Sequence, residues 1–130
     1  METIFYIQLI YILFCLALAY WNYCTIKREK PVLHWLNAVL HILFWCFSSL
    51  WHDEWLLMIA FPFLGRLFFD TALNLMRGLP IDYVSEWVKE GRKESSKIDR
   101  IEYKIFGDGL LPKLIYLIII LAINLIIYFL

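Results

Sequence analysis

Residues 55–78 read WLLMIAFPFLGRLFFDTALNLMRG. Inside this apolar run stand two charges of opposite sign, Arg66 and Asp70, four residues apart. The run closes on Arg77-Gly78, with Pro80 just beyond. About 20 helical residues cross the roughly 30 Å hydrocarbon core of a bilayer, and 55–76 is that long. Gly78 suits the left-handed residue that ends a helix, and Pro80 cannot continue one. An ionised side chain at membrane depth costs at least about 2.5–3.5 kcal/mol. Residues at i and i+4 share a helix face, so Arg66 and Asp70 can offset that cost by pairing. The stretch therefore predicts a transmembrane helix carrying an intramembrane ion pair.

Three other runs have the same character: 4–23, 32–51 and 111–130. The chain is 62% hydrophobic, against about half for a soluble domain, and its mean hydropathy is +0.68. In lipid every backbone N–H and C=O must be satisfied within its own segment, which makes the runs helices. The alternating strands of a transmembrane barrel are absent. The prediction is an all-α integral membrane protein: one membrane domain over 1–130, four spans at 4–23, 32–51, 55–76 and 111–130, and a segment at 77–110 between the third and fourth.

Charge orients these spans. Eleven of the twelve Lys and Arg residues lie in two segments, 24–31 and 77–113. Basic loops stay on the cytoplasmic side, and alternate threading puts both of these there. The termini and His52-Asp53-Glu54 then lie outside. Glu2 is the only early charge and Lys27-Arg28-Glu29-Lys30 follows the first run, so 4–23 reads as a span and not as a cleaved leader. Trp21, Trp35 and Trp87 fall near the inner boundary and Trp51, Trp55 and Tyr128 near the outer one, as aromatic belts do.

The 77–110 segment is patterned. Ile81, Val84, Trp87 and Val88 recur at helical spacing, and Ile98, Ile101 and Ile105 repeat the pattern. Ser96-Lys97-Ile98-Asp99 resembles a capping box with Asp for Glu. Two short amphipathic helices are expected, broken near 91–96 and lying at the membrane surface. Ile81, Val84, Trp87, Ile98, Ile101 and Ile105 are the candidates for docking a partner or the membrane.

A polar stripe marks the second span: His34, Asn37, His41, Trp45, Ser48 and His52 are three or four apart. On the third, Asn74 extends the face of Arg66 and Asp70. Folding the hairpin about residues 53 and 54 brings His41 level with Arg66, Asn37 with Asp70, and His34 with Leu73 and Asn74. The expectation is that the two stripes face each other as a polar spine of His34, Asn37, His41, Ser48 and Asn74 around the ionic pair.

Other chemistry finds little support. Ser48, Ser49, His52 and Asp53 are close in sequence but lack an elbow motif such as GxSxG, so no catalytic residue is assigned and no enzyme is expected. His34 and His41 are two turns apart, unlike the HExxH spacing that puts two His on one ion, and no metal or cofactor is expected. Cys15, Cys24 and Cys46 match no CxxC pattern. Basic and acidic residues are interleaved in 77–110, which excludes the one-sign patch of a nucleic-acid binder. In length and span number the chain resembles the small multidrug transporters and the fluoride channels. The first carry a lone acid in their first span, where this chain has Gln8. The second insert both ways with weak charge bias, unlike this chain.

The resulting expectation is a small, oligomeric membrane protein that forms a pore or an ion- or proton-conducting assembly, with Arg66, Asp70 and His41 near the path. The alternative is a non-catalytic accessory or scaffold subunit of a larger membrane complex, docked through its cytoplasmic segment. Partners are the lipid bilayer and further copies or other membrane subunits, without nucleic acid.

Overall fold

A computed structural model describes residues 2–107 and 109–130. Its elements are α1 (Glu2–Lys27), α2 (His34–His52), α3 (Leu56–Met76), α4 (Glu86–Lys89), α5 (Lys97–Phe106) and α6 (Leu110–Phe129). The described residues contain helices and no strands. Three helices, α1, α3 and α6, are long and apolar enough to cross a membrane. The second predicted span is helical for 19 residues, but its His, Asn and Ser residues dilute its apolarity below that of the other three.

Helix α3 is the hub, packed by α1, α6 and α2. Tyr11 of α1 meets Phe61 of α3 at a ring distance of 4.8 Å. On the other side Ile123 of α6 packs with Leu56 and Ala60, and Tyr116 meets Phe63 at 5.4 Å. Higher numbers on α6 thus face lower numbers on α3, so these two run antiparallel. Asn37 and Trp45 of α2 bond Asn22 and Tyr11 of α1 respectively, so α2 is antiparallel to α1. Gln8 of α1 bonds Asn124 of α6, which sets the start of α1 beside the end of α6. The four long helices therefore alternate in direction, with α1 and α3 parallel.

The core is a narrow strip. Tyr11, Cys15, Leu57, Phe61, Leu64 and Ile120 form one buried cluster, and Leu56, Ala60 and Ile123 a second. Around it large apolar side chains point outward: Phe5 and Leu13 on α1, Leu43 and Phe47 on α2, Ile118 and Leu121 on α6. In water such a girdle would be an aggregation surface. In lipid, tails as apolar as leucine solvate it at no cost. The inverted distribution is that of a small membrane protein.

The helix ends follow the local sequence. After α3, Gly78 takes φ 71°. Leu79 N–H donates to Asn74 O at 2.9 Å and Gly78 N–H to Leu75 O at 3.0 Å, which is the Schellman closure. Between α2 and α3, Asp53 takes the left-handed conformation and the Glu54 carboxylate accepts from Leu56 N–H at 3.1 Å. Ser85 caps α4 and Ser96 caps α5, each accepting from the backbone N–H three residues on. Of the two short helices expected in 77–110, the second is present as α5, but the first shrinks to the single turn α4 and leaves Ile81 and Val84 outside any helix.

Candidate functional site: one arginine shared by three carboxylates

Arg66 sits at the midpoint of α3 (Leu56–Met76). Its Nη1 lies 3.0 Å from Asp70 Oδ2. The predicted pair is there, but it is part of a larger cluster. Arg66 Nη2 is 2.6 Å from Asp99 Oδ1, and Nε and Nη2 both donate to Glu102 Oε2, at 3.0 and 2.9 Å. Tyr116 of α6 donates to the same Glu102 oxygen at 2.5 Å. Lys113, also on α6, is within electrostatic reach of all three carboxylates. The guanidinium spends its donors in three directions, which its planar fork allows and an ammonium could not reproduce.

Asp99 and Glu102 come from α5, so the cluster ties that short helix to the middle of the bundle. Through Glu102, α5 is joined to Arg66 of α3 and Tyr116 of α6. Sequence reading missed Asp99, Glu102 and Tyr116. The available signal was the spacing of the two acids, three residues apart and hence on one face of α5, away from Ile98, Ile101 and Ile105.

A second polar knot lies next to the first. Trp45 Nε1–H donates to Tyr11 Oη at 2.7 Å, and Tyr11 Oη is 2.7 Å from His41 Nδ1. Tyr11 is fully buried. Gly65 makes the space: a Cβ there would stand 2.6 Å from the Tyr11 hydroxyl oxygen. The remaining polar residues close on one another in pairs. Asn22 and Asn37 exchange amide hydrogen bonds at 3.2 and 2.9 Å, and Gln8 and Asn124 do so at 2.8 and 3.1 Å. Asn74 donates to Ile81 O and Tyr83 O, anchoring the start of the 77–85 connection. Ser48 is buried and His34 exposed.

The expected facing of the two stripes needs correction. His41 is indeed close to the level of Arg66, 3.7 Å from where a Gly65 Cβ would be, yet it bonds Tyr11. Asn37 bonds Asn22 and not Asp70, and Asn74 bonds backbone and not His34. The reason is rotation. At 3.6 residues per turn, adjacent residues point about 100° apart. Gly65 turns toward α1 and α2, which leaves Arg66 turned toward α5 and α6. The polar face of α2 therefore meets α1.

Of the predicted docking residues, Ile81, Trp87, Ile98, Ile101 and Ile105 are exposed, and Val84 is half-buried. Among the described residues no group of three His, Cys, Asp or Glu side chains is arranged to hold a metal ion. Where the three carboxylates converge, the guanidinium already occupies the centre. No family model, curated protein or solved structure matches this chain.

Proposed function

We propose that this is a four-span membrane protein with both termini extracytoplasmic, and that the Arg66 cluster is the inner-side station of a proton- or ion-conducting path. The parallel packing of α1 and α3 supports four crossings. Two parallel helices that both cross need a return through the same thickness, and α2 is the only chain between them. The observation that carries conduction is the carboxylate surplus. Asp70, Asp99 and Glu102 outnumber Arg66 and Lys113, so the ionised cluster holds one excess negative charge beside lipid. Uncompensated charge there is costly, and a proton or a small cation neutralises it.

The test is proton and cation flux in proteoliposomes, wild type beside Asp70→Asn. Altered flux in the variant supports the path. Absence of flux from protein shown to be folded removes it.

A second reading, the accessory subunit, is favoured by a different observation: the interior amides are reciprocally paired, as in structural glue, and Ile81, Trp87, Ile98, Ile101 and Ile105 are exposed. It expects no flux, and loss of a co-purifying membrane partner on Trp87→Ala.

A further inference from the structure

Helix α5 has three distinct faces. At about 100° per residue, Asp99, Glu102 and Phe106 fall together, and the two acids bond Arg66. Ile98, Ile101 and Ile105 fall on one flank, exposed by 57%, 49% and 66%. Lys97 and Lys104 fall beyond them and are exposed too. Arg100, between the lysines and the protein, spends Nη1 on Arg92 O at 2.7 Å. A helix docked in water would turn its isoleucines inward. This one turns its acids inward and leaves the isoleucines out.

The contacts set its depth. Glu102 bonds Tyr116, in the first half of α6, and the guanidinium at the far end of the long Arg66 side chain. Both helices are apolar enough to cross a membrane. The isoleucine flank is thus presented beside spans that lipid surrounds. All negative charge on α5 is withdrawn to Arg66, so the free charge on its outer side is positive.

We infer that α5 is seated in the inner boundary of the bilayer and binds anionic phospholipid. Ile98, Ile101 and Ile105 enter the acyl region, and Lys97 and Lys104 engage lipid phosphates. Arg66 is the latch that holds the helix at that depth. The inference rests on the membrane location of α3 and α6 and not on conduction, so an absence of flux leaves it untouched.

Two measurements test it. Nitroxides are placed at Ile101→Cys and Lys104→Cys, with Cys15, Cys24 and Cys46 replaced by Ala, in phosphatidylcholine vesicles containing phosphatidylglycerol. Position 101 should collide with oxygen and be shielded from a water-soluble nickel complex, and position 104 should show the reverse. Nickel access at 101 overturns the seating, as does exclusion of both probes there, which would mean a protein covers the face. In wild-type protein, tryptic cleavage at Lys97 and Lys104 is compared across phosphatidylcholine vesicles, the same vesicles with phosphatidylglycerol, and the first vesicles with inorganic phosphate. A lysine near an anionic surface gains about fivefold in occupancy, so cleavage should slow about fivefold with the anionic lipid alone. Equal rates in all three, or protection by free phosphate, overturn lipid binding.

Discussion

Replacing Gly65 by Ala should destabilise the wild-type chain and do no harm once Tyr11 is Phe. The added Cβ would stand 2.6 Å from Tyr11 Oη, while Tyr11 Cζ and His41 Cε1 would remain at 3.6 and 3.7 Å. Only the hydroxyl clashes. It cannot swing aside, because Trp45 and His41 hold it at 2.7 Å each and the ring is enclosed by Phe14, Phe44 and Phe61. The helices must part by several tenths of an ångström or the hydrogen bonds must break. Overpacking of this kind costs about 1–3 kcal/mol, and each interhelical bond lost adds about 0.6 kcal/mol. Gly65→Ala should therefore cost about 2–3 kcal/mol. Tyr11→Phe removes the clashing atom and leaves His41 and Trp45 unpaired, at about 1–2 kcal/mol. In that background Gly65→Ala meets only ordinary contacts, and the loss of unfolded-state freedom makes it neutral or stabilising by up to about 1 kcal/mol. The assay is equilibrium unfolding in mixed micelles by tryptophan fluorescence, as a double-mutant cycle with a coupling of about 2 kcal/mol or more. Equal effects of Gly65→Ala in both backgrounds would refute the reasoning, because the hydroxyl would then not be what the glycine accommodates.

The ionic cluster predicts an order. Glu102→Gln should cost more stability than Asp99→Asn, by about 1 kcal/mol on the scale of charged hydrogen bonds. Glu102 Oε2 takes bonds from Arg66 and Tyr116 and its side chain is 17% exposed, against 35% for Asp99; the reverse order in the same unfolding assay counts against the geometry. Arg66→Ala should be the most damaging of the cluster variants, by about 3–5 kcal/mol, because it strands three carboxylates, whereas Asp70→Ala leaves Arg66 two partners; folded yield by gel filtration reads this. Asn22→Ala should cost more than Asn37→Ala, since Asn22 also donates to Leu18 O, and the double variant little more than Asn22→Ala alone, since each amide serves the other; additive losses would mean that the pair is not formed. Single cysteines at positions 53 and 95 should label from opposite sides of the membrane with an impermeant maleimide, and labelling from one side ends the four-span topology.

Much of the fold was legible because lipid is an unforgiving solvent. Length and apolarity suffice to name a crossing helix, and Gly78-Leu79-Pro80 and Ser96 announce helix ends through local geometry alone. The limits appear where a residue's partner lies on another helix. Arg66 and Asp70 could be paired by eye because they share one helix face. Asp99 and Glu102 could not be joined to Arg66, since nothing local says that α5 folds up beside α3. Nothing local explains Gly65 either, because the Tyr11 hydroxyl that needs its missing Cβ comes from another helix. Counting along the hairpin brought His41 to nearly the right height, but height leaves the direction of the side chain open.

From sequence alone follow the helical class, the end of α3, the start of α5 and the pairing of Arg66 with Asp70. Each rests on spacing within a single segment and on the cost of bare backbone or charge in an apolar medium. Only the tertiary structure decided that α3 is the hub, that the polar face of α2 belongs to α1, and that α5 turns its acids inward to share one arginine. Those outcomes depend on how each helix is rotated about its own axis. A step of about 100° per residue sends Gly65 to one neighbour and Arg66 to another, and packing across the whole bundle selects that rotation.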